Sequence, residues 1–281
     1  MSVDTVGKIT NQYLLKKQRA YSIGVIRQST LDKISQIIDL KILPNFGSIK
    51  LKKFKGDHWE DYLATHPKRV HETRVYMVSV LDLAVKEGVL KKSPELMKPP
   101  ESDFEGRALT VKEVKMLLAS TEPGELDLFV KLGLCGMRSG EIRELEWNRV
   151  DLKRGVIHLR EIDTKTKKAR SFPVSLKLKK LLESRKCQRK NVGKVFTKSS
   201  SWFTNSFNKL IKTSGINGRV TPHSLRHTFL THAAKQIKNK TNEFSAVEVC
   251  VYAGLSMKVF MSRYLHLKPE DLQGLTGVIG Q

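Results

Sequence analysis

The amino-acid sequence predicts a mainly α-helical fold with a small β-sheet, divided into two domains. Three features carry that prediction. Apolar residues recur with helical period along most of the chain. One stretch, "GVIHLREIDTKTKKARSFPVSL" at residues 155–176, instead holds two alternating, β-rich runs joined by a polar turn. Another, "LMKPPESDFEGR" at residues 96–107, carries two prolines, a glycine and mixed charges that break any period. A length of 281 residues fits two domains, and a hydrophobic content of 40% is enough to fill their cores. The expected organisation is a small basic helical domain over residues 1–98, a linker over 99–107 and a second domain over 108–281.

The elements follow in order. Residues 1–20 read equally as a helix, centred on "KITNQYLLKKQ", or as an arm or swapped helix. In "TLDKISQIIDLKILPNF", Thr30 has the character of an N-cap, and Leu31, Ile34, Ile37 and Ile38 recur with helical period. "DHWEDYLATH" reads as a short helix. "HPKRVHETRVYMVSVLDLAVKEGVL" reads as a longer one, with Val75, Val78, Leu81, Leu83 and Val85 among its apolar positions and Gly88 at its end. After the linker, Thr110 and Glu113 form the capping pattern of the next helix. "LDLFVKLGLCGMRSGEIRELEWNRVDL" contains two helices broken around Gly136. The alternating runs make a basic β-hairpin. Helices then resume at "LKLKKLLESRK", "SWFTNSFNKLIKTSG", "HSLRHTFLTHAAKQ", "SAVEVCVYAG" and "VFMSRYLHL".

Lys and Arg total 51 against 28 Asp and Glu, a formal charge of +23. Such self-repulsion points to a polyanionic partner, nucleic acid first and an anionic membrane surface second. No run approaches the roughly 18 apolar residues of a membrane span. The N-terminus lacks a basic-then-apolar signal layout. The three cysteines, Cys135, Cys187 and Cys250, match neither a disulfide framework nor a zinc pattern. The expectation is a cytoplasmic protein that does not use the membrane.

Four segments hold residue types suited to phosphate chemistry. Arg138 follows a glycine at a helix start, where backbone N–H groups and a guanidinium can share a phosphate. Glu141, three residues on, can hold it, although the same pair also reads as an ordinary surface ion pair. The hairpin carries Lys165, Lys167, Lys168 and Arg170, a DNA-binding set or a solvated basic turn. In "TPHSLRHTFLTH", His223, Arg226 and His227 share one helical face near the helix's own positive end. Cations gain no stability there, so the cluster is either solvated or set for an anion. Arg supplies fixed charge and His moves protons near neutral pH. A zinc reading of His223 and His227 fails on the missing acid and on the repulsion of Arg226, so no metal or other cofactor is expected. Tyr264 closes the series between Arg263 and His266.

The order Arg…Lys…His-x-x-Arg…Tyr resembles the tyrosine recombinases, the phage integrase family. "LGLCGMRSGEIRELEWNRVDL" is similar to its first-arginine block, "HSLRHTFLTH" to its His-x-x-Arg-His block and "SRYLHL" to its Tyr-x-His ending. Lys165 lies eight residues before Pro173, the offset of the family's hairpin lysine. The run from "FGSIKLKKFKG" to "EGVLKKSP" is similar to the family's helical core-binding domain.

The resemblance implies a helical core-binding domain followed by an α+β catalytic domain, acting as a site-specific DNA recombinase without ATP or a metal. Tyr264 would be the nucleophile, Arg138 and Arg226 the phosphate clamp, His223 the acid–base and Lys165 the general acid, with Glu141 and His227 in support. The implied partners are double-stranded DNA carrying recombination sites, further copies of the chain in a tetramer on two sites, and DNA-bending accessory proteins. One position departs from the pattern. Leu255, nine residues before Tyr264, fills a slot that the family usually gives to His or Trp. A leucine donates no hydrogen bond to phosphate, which leaves open an inactive DNA-binding accessory protein, besides a type IB topoisomerase.

Overall fold

A computed structural model describes residues 5–66, 70–99, 106–160, 169–187, 193–241 and 243–266. The chain divides into two compact units, Met1–Phe104 and Glu105–Gln281. Residues on either side of the boundary are held in folded structure. Leu96 is buried in the first unit's core and Met97 accepts a hydrogen bond from Trp59 Nε1 at 2.9 Å. Arg107 belongs to the second unit, where it donates to Glu113 and to the carbonyl of Asn217.

The first unit is helical. Its helices are α1 (Val6–Ser22), α2 (Gln28–Ile37), α3 (Leu43–Phe46), α4 (Gly56–Thr65) and α5 (Val70–Lys86). The N-terminal segment is therefore a helix, capped by Thr5, and it buries Val6, Ile9 and Tyr13. Thr30 does not cap α2. Arg27, in extended conformation, precedes the helix, and Gln28 donates to Asp32 one turn on at 2.6 Å. A π-helical turn at Ile38–Ile42 joins α2 to α3, and Pro44, which lacks an N–H, stands in the first turn of α3. Phe46 lies against Trp59 and Tyr62, with ring centroids 6.3 and 5.1 Å away. On α5 the buried stripe is Thr73, Met77, Val80, Leu81 and Ala84. Val75 is 58% exposed, because a helix turns position 75 about 140° away from the side that 77 and 81 define.

The second unit contains α6 (Val111–Ala119), α7 (Glu125–Leu134), α8 (Ser139–Arg143), α9 (Leu176–Cys187), α10 (Ser200–Thr213), α11 (Pro222–Lys238), α12 (Ala246–Ala253) and α13 (Met257–Arg263). The Thr110–Glu113 box caps α6: the Glu113 N–H donates to Thr110 Oγ1 at 3.2 Å and the Thr110 N–H to Glu113 Oε2 at 2.8 Å. The described residues form an antiparallel sheet in the order β1 (Val150–Asp151), β2 (Val156–Leu159), β3 (Arg170–Pro173). Its register pairs Ile157 with Phe172 and Leu159 with Arg170. One apolar core joins α7, α10 and the first turns of α11 to the inner face of the sheet through Phe129, Phe203, Phe207, Leu225, Ile157 and Phe172. A second cluster holds α11 to α12 and α13 through Leu230, Val249, Ala253 and Phe260. These two cores bring the ends of α7, α11 and α13 toward one place, which is where the site lies. Among the described residues no helix is long and apolar enough to cross a membrane.

Candidate active site

The chain breaks between α7 and α8 at Gly136, whose φ of +97° favours glycine. A Cβ there would also stand 2.7 Å from the Phe229 ring. The turn aims the Gly136 carbonyl at α11, where Arg226 Nη1 donates to it at 2.6 Å. Arg226 is only 4% exposed. Burial pushes its guanidinium down to about 10, aided by the positive charges of Arg138 and Arg170 and opposed by Glu141 and Tyr264. It stays protonated at neutral pH. Side chains from α8, β3, α11 and the end of α13 therefore act on one another within a single electrostatic neighbourhood.

Arg138 caps α8 and Glu141 lies in that helix's first turn. The expected pair is no surface contact, since Glu141 is 3% exposed. Its Oε1 accepts from Arg138 Nη1 at 2.7 Å and from Arg170 Nη1 at 3.1 Å. Its Oε2 accepts from the Arg138 backbone N–H at 3.0 Å and from Arg170 Nη2 at 2.7 Å. Burial raises the Glu141 carboxyl, but the hydrogen bonds and charge of Arg170, then those of Arg138, outweigh it and hold the group below the usual carboxylate range. Arg138 Nη2 donates to the carbonyl of Gly254.

Arg170 corrects the sequence reading, which placed it on the DNA-facing hairpin. Its side chain is 7% exposed and turned inward against Glu141 and the Tyr252 carbonyl. The signal was present in the strand: positions 170 and 172 share one face of β3, and Phe172 is buried. Lys165, Lys167 and Lys168 lie outside the described residues.

His223 stands exposed in the first turn of α11, lining with Ser139, Arg143 and Thr221 a cavity of about 310 Å³. Tyr264 ends α13, and its ring lies 5.2 Å from that of His227 and 5.9 Å from that of Phe260. Leu255 follows Gly254 and packs on the apolar cluster between α11 and α13. A roomier cavity of about 720 Å³ lies among α6, α11 and α12, lined by residues such as Val114, Leu134, Phe229 and Tyr252. Its apolar wall suits no charged substrate. Among the described residues no group of three or more His, Cys, Asp or Glu is placed to hold a metal ion.

Two guanidiniums on one buried carboxylate, with a third beside them, leave a net positive cluster whose electrostatics reach Tyr264. Residues 107–241 match the model of the phage integrase family, and residues 6–72 match that of the phage integrase N-terminal SAM-like domain. The chain belongs to the phage integrase family.

Relatives of this integrase-family chain include the shufflon-specific DNA recombinase of Escherichia coli, 28% identical over 67% of this chain and 48% of that protein. The tyrosine recombinase XerC of Chlamydia trachomatis is 25% identical over 74% of each chain. The chain thus spans about half the length of the shufflon recombinase and three quarters of XerC. Among solved structures, the Tn1549 transposon integrase in complex with a circular intermediate DNA aligns with a TM-score of 0.77 at 14% identity, over 97% of this chain and 99% of that one. A lambda integrase tetramer bound to a Holliday junction aligns with a TM-score of 0.72 at 18% identity, over 91% and 77%. At these identities the likeness establishes the fold.

Proposed function

We propose that the chain is a site-specific DNA recombinase that cleaves and rejoins strands through a phosphotyrosine bond at Tyr264, in the service of a phage or other mobile element. The observation that carries this reading is the charge balance around Glu141: one buried carboxylate faces Arg138, Arg170 and Arg226, and the charge of Tyr264 reaches Arg226. A phosphodiester resists attack because its oxygens are negative and its alkoxide leaves poorly. Arg138 and Arg226 clamp the two non-bridging oxygens, each with N–H groups beyond those spent on Glu141, Gly254 and Gly136. The Tyr264 phenolic oxygen attacks phosphorus, and His223 takes its proton. The bond from phosphorus to the 5′-oxygen breaks, and Lys165, placed by its offset from Pro173, protonates that oxygen. The product is a 3′-phosphotyrosine and a free 5′-hydroxyl. Attack by a second strand's 5′-hydroxyl reverses the steps, so the bond energy is retained and no ATP is consumed. The Tn1549 and lambda integrase complexes support double-stranded DNA as the partner, and the lambda tetramer supports assembly of four copies on two sites. The excess of basic residues suits contacts to the DNA backbone.

The test is a nicked suicide duplex carrying a sequence selected by binding to the full chain from a randomised library. The wild type is expected to form a covalent protein–DNA band that Tyr264→Phe abolishes. Tight binding with no band in the wild type refutes the reading. Leu255 favours one alternative, a recombinase-like chain that binds DNA without cutting it, because an apolar side chain occupies the slot of a phosphate donor. If the band appears only in Leu255→His, the chain is a DNA binder. If both cut, with Leu255→His faster by about tenfold or more, the leucine slows an active enzyme.

A further inference from the structure

We propose that Arg170 is a positioning residue for strand cleavage: it fixes both of the anchors that aim Arg138. The proposal rests on the reading of the chain as a DNA-cleaving recombinase. The first anchor is the Glu141 carboxylate. Each of its oxygens accepts one N–H from Arg138 and one from the fork of Arg170, at 3.1 and 2.7 Å for the latter. The plane of the fork therefore sets the plane of the carboxylate, and the carboxylate sets the direction of Arg138 Nη1. The second anchor is the Gly254 carbonyl, which accepts from Arg138 Nη2. Arg170 also holds that turn, because its Nε donates to the Tyr252 carbonyl two residues earlier at 3.1 Å.

The turn is shaped around this guanidinium. Gly254 has a φ of +63°, and a Cβ on it would stand 2.6 Å from Arg170 Nη1. All three nitrogens of Arg170 are thus engaged, tying the strand β3 to α8 and to the C-terminus of α12. At 7% exposure its side chain is spent on the protein and acts through Arg138. A lysine retains the charge, but a single ammonium on a flexible stem cannot hold a carboxylate edge and a carbonyl in one fixed plane.

The experiment uses the full chain and the nicked duplex defined above, in two forms. One has the natural phosphodiester at the cleaved position and the other a methylphosphonate, which carries no charge there. On the phosphodiester, Arg170→Lys is expected to form the covalent complex about 10- to 100-fold more slowly, the scale of a small misplacement of a catalytic group, with DNA affinity within about threefold of wild type. On the methylphosphonate the penalty shrinks to within about threefold, because Arg138 then has no full negative charge to neutralise. For the same reason Arg138→Ala with Arg170→Lys should be no slower than Arg138→Ala alone.

Cleavage by Arg170→Lys at the wild-type rate overturns the proposal. So does a penalty that is equal on both duplexes and multiplies with that of Arg138→Ala, as a purely structural defect would give. Should Arg170→Lys fail to fold, the paired apolar replacement Glu141→Met with Arg170→Met removes one buried charge of each sign together. A folded pair that cleaves like wild type overturns the proposal, and one slowed to the level of Arg138→Ala supports it. A wild type that forms no covalent product on either duplex defeats the functional reading itself, whereas wild-type cleavage with an unaffected Arg170→Lys defeats only this inference.

Discussion

Replacing Glu141 by Gln tests whether the arginine cluster depends on its one counter-charge. The carboxylate is 3% exposed, and each of its two oxygens accepts from two donors. A glutamine of the same shape keeps one acceptor oxygen. Whichever way the amide is turned, its NH₂ group faces two N–H donors. Arg138, Arg170 and Arg226 then repel one another with nothing negative among them. Removing one member of a buried ion pair costs about 3–5 kcal/mol, and the surviving oxygen places Glu141→Gln near the lower figure, about 3 kcal/mol. For a unit the size of Glu105–Gln281 this lowers Tm by about 6–12 °C. The assay is thermal unfolding at neutral pH and moderate ionic strength, followed by circular dichroism. The depressed carboxyl adds a pH signature. The stability that Glu141 contributes is complete above its unfolded-state pKa and is lost as pH falls through its lower folded value, so the gap between wild type and variant narrows in acid. A variant melting within about 2 °C of wild type at pH 7 would refute the reasoning, since an exposed ion pair alone accounts for so little.

Two further outcomes follow from the same geometry. Gly136→Ala puts a Cβ 2.7 Å from the Phe229 ring at a φ of +97° and displaces the carbonyl that holds Arg226, so urea denaturation should show a loss of about 1–3 kcal/mol; an unchanged midpoint would contradict it. Arg107, hydrogen-bonded to Glu113, holds that carboxyl down at about 2 from 4.5, so its contribution is present above pH 4.5 and fades as pH falls toward 2. With partial exposure of the pair this amounts to roughly 1 kcal/mol, and Glu113→Gln should flatten the pH dependence of stability in that window.

Much of the helical fold was legible because its signals are local. Thr110 with Glu113, the break at Gly136 and the proline before the α11 motif each act within one turn of chain. The order of the arginine, histidine and tyrosine blocks was legible for the same reason. The contacts that aim those residues were not. Glu141 meets Arg170 across 29 positions, and Arg138 meets Gly254 across 116, so no local spacing encodes either one. Arg170 was misjudged because charge was weighed before strand parity: counting two residues on to the apolar Phe172 turns it inward. Val75, one of the apolar positions of α5, lies on the surface, where many hydrophobic residues are found. Thr30 was given a cap because its side chain suits one, while the backbone entered the helix at Gln28.

Among the described residues, the apolar side chains of each unit gather in clusters of their own. Phe46, Trp59 and Tyr62 sit in a cluster wholly within Met1–Phe104, and Trp147 and Trp202 lie in or against one within Glu105–Gln281. Heat or denaturant therefore has two cooperative blocks to dissolve, and no single free energy describes the whole polypeptide. The indole fluorescence of Trp59 reports on the first block and that of the other two tryptophans on the second. A calorimetric trace has to be resolved into its separate events before the effect of any substitution near Glu141 can be read from it.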